Sequence, residues 1–315
     1  MSDSQWTVGV AEAHSRLDKF LASPDRLGSR GRAAAALERG KVYLNGDEAT
    51  LSHAAVRLME GDTVRVWMDR PGSSKRPAAA SIRGIKNLQI VYEDDVLVVI
   101  DKPAGLLAVP LERREDAPSV YELLTEHLRA RKRRPFVVHR IDRDTSGLVV
   151  FTKDPRTQRL LREQFKRREP ERVYLAIVYG HPNPPEGTWC DRLVWDARAL
   201  IMKETHPRDP SGKDAVSAYR VVETFETTSL VEVRLHTGKR NQIRLQARLR
   251  GHTLVGEQRY TFGPDDLRPI AFSRQALHAH RLAFTHPADG RALQFEAPMP
   301  QDMLDLIARL RKSLG

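Results

Sequence analysis

A polar loop between two apolar stretches carries the first side chains that are suited to catalysis. Apolar residues at positions 136–138 and 148–151 flank the sequence HRIDRDTSG at residues 139–147, which contains the carboxylates Asp142 and Asp144. The apolar stretches have the length of buried strands, so the loop would present its charged side chains at the end of a sheet. An ordinary connecting loop, in which Asp and Thr cap their own backbone, has the same pattern. The charge pattern alone leaves both interpretations open.

Three further segments combine strand-like runs with polar residues. The first is VLVVIDKPAG at residues 96–105, where a strand ends in a proline–glycine turn. The second is ERVYLAIVYG at residues 171–180, which alternates like a strand and carries Tyr174. The third is LHTGKRNQIR at residues 235–244, which enters a helix-like stretch and continues to GHTLVG at residues 251–256. Together, these three segments favour the interpretation that the loop at residues 139–147 is functional.

In this order, the four segments resemble the signatures of the RluA-type family of pseudouridine synthases. Those signatures are D/N-K-P-x-G, H-R-L-D-x-x-T-S-G, Y-x-A-x-V-x-G and T-G-R-x-H-Q-I-R, the last followed by G-H-x-x-x-G-D. The sequences RQALHAHRL at residues 274–282 and FTHP at residues 284–287 also match the family. The resemblance spans roughly residues 88–300, and five ordered motifs make it highly specific.

The resemblance implies an enzyme that isomerises uridine in RNA to pseudouridine. This reaction breaks the N1–C1′ glycosidic bond, turns the uracil and rejoins it through C5, so we expect neither a cofactor nor a metal. It does need one carboxylate that acts on the nucleotide as a nucleophile or as a base. Motif position gives this role to Asp142, whereas the family position equivalent to Asp144 is variable.

The resemblance also implies residues that bind the substrate. Arg244 would pair with the ionised Asp142 through a charge-assisted hydrogen bond. Tyr174 would stack on the flipped uracil, an interaction worth about 1–3 kcal/mol per base. Arg140 would fill the space that the uridine vacates or contact the RNA backbone, and extruding a base costs roughly a few kcal/mol. His139 would position the loop rather than transfer protons.

The sequence departs from the family pattern at three positions. Ile141 replaces the usual Leu, and Glu257 replaces the Asp of Gly-Asp. Asn241 stands where His is usual. It retains hydrogen-bonding capacity but cannot be protonated, so any role of that histidine is in doubt.

Each of these assignments has an alternative. Asp142 could cap its loop, Arg244 could lie on a helix surface, and Tyr174 could fill the core. For the whole protein, the alternative is a degenerate synthase that binds RNA and assists ribosome assembly without catalysis, which the intact Asp142, Tyr174 and Arg244 disfavour. A nucleotide-dependent enzyme is disfavoured because the sequence has no G-x-x-x-x-G-K-[ST] loop.

The composition is typical of a protein with a polyanionic partner. The 315 residues carry a formal net charge of +11, and 40% are hydrophobic, enough for one large domain and a small one. Nucleic acid and an anionic membrane surface both match that charge. No stretch resembles a secretory signal or a spanning helix, so we expect a cytoplasmic protein without a membrane partner. Its expected partner is structured RNA, and we expect it to act as a monomer.

The cysteine count disfavours disulfide and metal chemistry. Cys190 is the only cysteine in the sequence, so neither an internal disulfide nor a cysteine-cluster metal site, such as that of a zinc deaminase, is available. His278 and His280 would share one face of a strand. Because no third ligand is obvious, a structural role is favoured over metal binding.

Residues 12–68 resemble an S4-type RNA-binding domain. The sequence RLDKFL at residues 16–21 and a second helix at residues 29–40 precede short strands that contain VYLNG at residues 42–46 and GDTV at residues 61–64. A solvated helix face would also be basic, but clustering around a short helical hairpin favours RNA contact. The clustered residues are Arg16, Lys19, Arg30, Arg32, Arg39 and Lys41.

The rest of the chain is predicted to form a linker and a larger domain. Residues 69–84 are rich in Pro, Gly, Ser and Ala, which is typical of a flexible linker. Residues 85–310 would form the catalytic domain, of the α+β class with a mixed, largely antiparallel sheet, because strands outnumber helices without a regular βαβ alternation. The predicted strands are 88–92, 96–100, 148–152, 173–179, 215–222, 229–235 and 281–285, and the predicted helices are 119–131 and 156–168.

Two basic runs flank the polar loop, at residues 129–134 and 156–172. A solvated helix face is the usual explanation for such charges. Because these runs lack matching acids in the sequence, we expect contacts with RNA phosphates, and binding that weakens steeply as salt rises.

Overall fold

The computed structural model describes residues 3–38, 40–50, 53–67, 88–110, 118–196, 199, 201–261 and 268–312. The chain divides into two units, Met1–Ser81 and Ile82–Gly315. The predicted linker at residues 69–84 lies outside the described residues, and so does Arg39. Within the described ranges, no helix has the length and apolar character needed to cross a membrane.

In its described residues, the N-terminal unit combines a four-stranded sheet with two α-helices and a short 3-10 helix, Val10–Glu12. Its elements are β1 (Asp3–Thr7), α1 (Leu17–Leu21), α2 (Arg30–Glu38), β2 (Val42–Leu44), β3 (Asp47–Ala49) and β4 (Thr63–Trp67), and the sheet has the order β1-β4-β2-β3. Two helices followed by short strands agree with the order read from the sequence. Strand β1 lies before residue 12 and was not predicted.

Local sequence explains how these elements begin and turn. The Ser29 hydroxyl accepts a hydrogen bond from the backbone of Arg32 at 3.2 Å and so caps α2. Asn45 and Gly46 both have positive φ and form the tight turn between β2 and β3. The core of the unit is built from apolar residues of both helices and the sheet, among them Leu17, Phe20, Leu21, Ala33, Leu37, Val64 and Val66.

The larger unit is built on an 11-stranded sheet, accompanied in the described residues by four helices. Its elements in chain order are β5 (Gln89–Glu93), β6 (Leu97–Lys102), α3 (Val120–Arg129), β7 (Phe136–Val137), β8 (Ser146–Thr152), α4 (Pro155–Arg167), β9 (Glu171–Tyr179), β10 (Glu186–Asp196), β11 (Ile201–Glu204), β12 (Lys213–Thr224), β13 (Thr228–Leu235), α5 (Gln242–Leu249), β14 (Leu277–Thr285), β15 (Ala292–Glu296) and α6 (Gln301–Lys312).

The sheet has the order β11-β10-β12-β13-β9-β14-β8-β6-β5, with β15 paired to β14 and β7 paired to β8. Among the named strands described, β14 and β8 pair in parallel and the other pairs are antiparallel. The predicted α+β class with a mixed, largely antiparallel sheet is confirmed. Strand β14 begins at Leu277, four residues before its predicted start, and β7, β10, β11, β15 and α6 were not predicted.

Strand β8 pairs with β14, β6 and β7, and all seven of its residues are buried. Its side chains alternate between two faces of the sheet. Leu148 and Val150 pack with Leu161 of α4 on one face, whereas Val149 and Phe151 pack with residues of α3 on the other. The loop that precedes β8 is therefore attached to a strand that is packed on both faces.

Candidate active site

The loop that carries Asp142 joins β7 to β8 and ends where β8 meets β14. Gly147 in β8 has a φ of +107°, and a Cβ atom at this position would lie 2.3 Å from the carbonyl oxygen of Ala279 in β14. Only glycine combines that backbone conformation with so close an approach of two strands. The close contact fixes the C-terminal end of the loop against the sheet.

Lys102, at the end of β6, holds the loop through hydrogen bonds to backbone carbonyl oxygens. Its ammonium group is fully buried and donates hydrogen bonds of 2.8 Å to the carbonyl oxygens of Pro103, Leu106 and Arg143. The backbone N–H of Gly105 donates to the same Arg143 oxygen at 2.9 Å. The motif D-K-P-A-G thus holds the residue that follows Asp142.

Arg274 holds the loop one residue further along, at the carbonyl group of Asp144. Its Nη1 donates to the carbonyl oxygen of Asp144 at 3.2 Å. Its Nε and Nη2 bind both carboxylate oxygens of Asp302 in α6, at 2.7 and 2.9 Å. Helix α6 is therefore connected to the loop through a single buried arginine.

His139 has the positioning role that its place in the loop implied. The backbone N–H of Val150 donates to its Nε2 at 3.2 Å, and its ring stacks on that of Phe165 at 4.7 Å. Burial, followed by the charge of Arg172, lowers the pKa of His139 to about 3. The imidazole is therefore neutral at physiological pH, with Nε2 unprotonated as the acceptor of the Val150 N–H.

We expect Lys102 to make the stability of the protein depend on pH. Burial lowers the pKa of Lys102 to about 7, against about 10.4 in an unfolded chain. Between these values the unfolded chain binds more protons, so stability rises with pH, by up to about 1.4 kcal/mol per pH unit from this group. In urea unfolding at pH 7, 8 and 9, the free energy of unfolding of the wild type should increase with pH relative to that of Lys102→Met. A difference independent of pH would contradict the assignment.

Asp142 receives two hydrogen bonds, both on the same carboxylate oxygen. Arg244 Nη1 donates to Oδ2 at 2.9 Å, and Asn241 Nδ2 donates to it at 2.6 Å. Among the described residues, no side chain or backbone group hydrogen-bonds Oδ1. The carboxylate is 27% exposed and the Arg244 side chain 11%, so Oδ1 remains available at the surface of the site.

Arg244 is itself held by a second carboxylate. Its Nε and Nη2 form a bidentate pair with Glu257 at 2.6 and 2.7 Å. The Glu257 side chain is 0% exposed, and it also accepts hydrogen bonds from the backbone of Arg259 and Tyr260. Burial raises the pKa of Glu257, but the hydrogen bonds and charge of Arg244 outweigh it and bring that pKa below its ordinary value. The arginine is a fixed cation between two carboxylates.

The amide of Asn241 is oriented by a directional chain of hydrogen bonds. The backbone N–H of Met202 donates to the Tyr260 hydroxyl at 3.1 Å, which in turn donates to Asn241 Oδ1 at 3.2 Å. The NH₂ group of Asn241 must then face Asp142. Asn241 precedes α5 with a φ of +53°, a conformation that asparagine tolerates. Asn241, one of the three residues that depart from the family pattern, is thus a neutral donor to Asp142.

An open cavity of about 610 Å³ surrounds these groups. Asp142, Arg140, Tyr174 and Arg244, which sequence reasoning predicted separately, all line it. Asp142 is the one carboxylate among the described residues that do so. Seven cationic side chains share the lining: Arg140, Lys166, Arg168, Arg172, Lys239, Arg240 and Arg244.

The remaining predicted residues near the site occupy distinct environments. Tyr174 is 8% exposed, and burial raises its pKa to about 12, so the phenol is neutral. Arg140 is exposed at the cavity edge. Asp144 does not line the cavity, and its carboxylate pairs with Arg143 at 3.1 Å. His278 hydrogen-bonds Ser146 and the backbone of Ala297, at 3.0 and 3.2 Å, a structural role.

Other basic residues are exposed, half-buried or paired with acids. In the N-terminal unit, Lys19, Arg30 and Arg32 are exposed and Lys41 is half-buried, while Arg16 pairs with Asp18 at 2.9 Å. The expectation that the two basic runs lack acids is wrong for part of them. Ion pairs with Glu126, Glu93 or Glu163 involve Arg129, Arg131, Lys166 and Arg167.

Sequence reasoning missed three residues of the site and gave a fourth only a general role. Lys102 lay within a recognised motif without an assigned role, and Glu257 was noted only as a departure. The partnership of Tyr260 with Asn241 joins positions that no local pattern connects. Arg172 was predicted only as part of the basic run at residues 156–172, although it lies two residues before Tyr174 in β9 and therefore shares its face of the strand.

Comparisons with known proteins agree with this site and fold. A family model for RNA pseudouridylate synthases matches residues 96–249. An uncharacterised RNA pseudouridine synthase of Bacillus subtilis is 33% identical over 99% of this chain and 100% of its own. The ribosomal large subunit pseudouridine synthase D of Zymomonas mobilis is 36% identical over 91% of both chains.

Solved structures support the same fold. Human RNA pseudouridylate synthase domain containing 4 has a TM-score of 0.58 and 23% identity, over 71% of this chain and 93% of its own. Since the curated relatives match nearly end to end at more than 30% identity, the chain belongs to the RNA pseudouridine synthase family and is an isomerase that acts on RNA.

Proposed function

We propose that this protein isomerises specific uridines of large-subunit ribosomal RNA to pseudouridine, and that Asp142 is its catalytic carboxylate. One observation carries the assignment: Asp142 is the one carboxylate among the described residues of a cavity lined by seven cations. A cavity of about 610 Å³ is in the usual range for a small-molecule site, roughly 300–1,000 Å³. It has room for one extruded nucleotide.

Oδ1 of Asp142 is the atom we assign to the reaction. Because Arg244 and Asn241 both bind Oδ2, Oδ1 faces the substrate with its lone pairs unoccupied. As a nucleophile, Oδ1 bonds to C1′ while the N1–C1′ bond breaks and uracil leaves as its anion; as a base, Oδ1 removes the 2′ proton and uracil leaves in the same way. The uracil turns and C5 bonds to C1′, which breaks the Oδ1–C1′ ester on the first route or returns the proton to C2′ on the second. The C5 proton leaves to solvent, and N1 takes up a proton from solvent. Arg244 stabilises the carboxylate as its charge changes through this sequence.

Tyr174 and Arg140 would hold the extruded uridine. The neutral Tyr174 ring offers a stacking face for uracil, worth about 1–3 kcal/mol. Arg140 is two residues before Asp142 and exposed at the cavity edge, where its guanidinium can enter the space left in the RNA stack. That contact offsets part of the extrusion cost, which is roughly a few kcal/mol.

Large-subunit ribosomal RNA is proposed as the substrate because several relatives are named for it. Besides the Zymomonas mobilis protein, the ribosomal large subunit pseudouridine synthase D of Vibrio cholerae is 32% identical over 97% of this chain. With a ribosomal substrate, the proposed location is the cytoplasm. We propose that the protein acts as a monomer.

Release of tritium tests the proposed reaction. RNA labelled at C5 of uridine loses its label to water when C5 bonds to C1′. Unmodified large-subunit ribosomal RNA should release tritium with the purified protein, and sequencing of the product should place pseudouridine at a few positions. Binding without release from any cellular RNA would favour the alternative, an RNA-binding assembly factor without catalysis.

We propose that the N-terminal unit is an S4-like RNA-binding domain that uses the exposed face of its two helices. Replacing two exposed cations, in Arg30→Glu/Arg32→Glu, should weaken RNA binding and make the slope of log K against log salt shallower by about 2. Filter binding at several salt concentrations measures both. The double variant Arg309→Glu/Lys312→Glu in α6 changes net charge equally and should bind as wild type does. Equal losses in both variants would refute a dedicated surface.

A further inference from the structure

Arg172 is a cation in the cavity that the proposed chemistry does not use. It lies in β9 two residues before Tyr174, so both side chains point from the same face of the strand. Among the described residues, no carboxylate lies within ion-pair distance of its guanidinium. Its Nη2 makes one long hydrogen bond, of 3.4 Å, to the carbonyl oxygen of Leu235, and its buried Nε has no hydrogen-bond partner.

The surroundings of Arg172 do not compensate its charge. Burial lowers the pKa of Arg172, yet a guanidinium remains protonated at any physiological pH. Its Cζ lies 5.6 Å from the centre of the Phe165 ring, and the neighbouring His139 and Tyr174 are neutral. A partly buried charge without a partner is unfavourable in the free protein. An anionic ligand would supply the missing charge.

Gly238 makes room for this guanidinium beside the cavity. A Cβ atom at Gly238 would lie 2.5 Å from Nη1 of Arg172, which is too close for both to remain in place. Since the obstructing atom is the end of a flexible side chain, an added methyl group would displace the guanidinium rather than the backbone. Glycine at this position therefore keeps Arg172 directed along the cavity wall.

We propose that Arg172 binds a phosphodiester of the RNA next to the target uridine, an inference that rests on the proposed function. An uncompensated guanidinium selects an anion, and phosphate accepts two parallel N–H donors from it. The uracil carbonyls are neutral and would leave the charge uncompensated. If Tyr174 holds the base, Arg172 is about 7 Å away along the same strand face, within reach of the backbone of that nucleotide.

The test measures binding and turnover of unmodified large-subunit ribosomal RNA by the full chain. Arg172→Met should raise KM by about 10- to 100-fold and make the slope of log K against log salt shallower by about 1. Its melting temperature should equal or exceed that of wild type, because the variant removes an unpaired charge. Arg172→Lys keeps the charge without the planar fork, so the salt slope should stay at the wild-type value while KM rises.

Two further variants make the test specific. Gly238→Ala should weaken binding in the same direction as Arg172→Met, and the double variant should be no weaker than Arg172→Met alone, since both remove one contact. Arg234→Gln is the matched control, because Arg234 is exposed on the adjacent strand β13 and already pairs with Glu171 at 2.6 Å. Its salt slope should equal that of wild type.

The outcomes separate this inference from the proposed function. If the wild type releases no tritium from RNA, the proposed function fails and the phosphate site fails with it. If the wild type is active but Arg172→Met keeps the wild-type KM and salt slope, only the phosphate site is overturned. A marked fall in the melting temperature of Arg172→Met, or additive effects in the double variant, would also overturn it, since Arg172 would then have a structural role.

Discussion

Asp142→Asn is expected to abolish the release of tritium from RNA, by at least about 10⁴-fold, as the loss of a catalytic carboxylate does in other enzymes. An amide is neither a nucleophile nor a base at neutral pH, so the N1–C1′ bond would stay intact. Affinity for RNA should be unchanged or slightly higher, because the variant removes the one carboxylate among the described residues of a cationic cavity. Single-turnover assays and filter binding measure the two effects separately.

Asp144→Asn is the matched control for this prediction. Asp144 lies two residues further along the same loop, and its carboxylate pairs with Arg143 outside the cavity lining. Its replacement should leave turnover within a few-fold of wild type. If Asp142→Asn retained activity within about tenfold of wild type, or if Asp144→Asn were the inactive variant, the assignment of the catalytic carboxylate would be wrong.

Arg244→Met is expected to reduce both stability and turnover. It leaves Glu257 buried without its cation, and removing one partner of a buried ion pair costs about 3–5 kcal/mol. It also removes one of the two donors to Asp142 Oδ2. Urea unfolding at pH 7 measures the first effect and tritium release the second.

The loss of stability in Arg244→Met is expected to depend on pH. In the wild type, the lowered pKa of Glu257 contributes stability that is present above the ordinary carboxyl pKa and is lost as pH falls below it. In Arg244→Met, the Glu257 carboxyl is still buried but no longer has the arginine that offset the cost of burying its charge. Its pKa is therefore raised. The difference from wild type should therefore be largest at neutral pH and become smaller as the solution is acidified and Glu257 takes up a proton.

A double variant separates the two roles of Arg244. In Arg244→Met/Glu257→Gln, the carbonyl of the new amide can still accept from the backbone of Arg259 and Tyr260, which both donate to Oε1 of Glu257. Stability should recover because no buried charge is left unpaired. Turnover should remain low because Asp142 still lacks its cation. Recovery of both would show that Arg244 acts only through folding.

The sequence allowed the main site residues to be predicted because they occur in short ordered motifs. Asp142, Arg140, Tyr174 and Arg244 come from three separate segments, and all line one cavity. The contacts that hold them could not be predicted, since Glu257 and Tyr260 reach Arg244 and Asn241 through a turn that no local spacing specifies. Such pairings depend on the tertiary fold.

The strands and helices that were not predicted differ in how clearly the spacing of their apolar residues indicates them. Strand β10 has two fully buried residues, Trp189 and Leu193, among half-buried and exposed ones, so its alternation is weak. Helix α6 had a clear signal. Its residues Met303, Leu306, Ile307 and Leu310 are buried at helical spacing and could have been recognised. Residues of β14 before position 281 include histidines, which obscured the apolar run.

The link between α6 and the catalytic loop has a consequence for the protein while it is being synthesised. Arg274 donates to the carbonyl oxygen of Asp144 and to the carboxylate of Asp302 in α6. A nascent chain that ends before α6 contains strands β5 to β15 but lacks the carboxylate that binds Arg274. It keeps the contacts that Lys102 and Gly147 make with the loop, so we expect only the contact at Asp144 to become fixed after translation has passed α6.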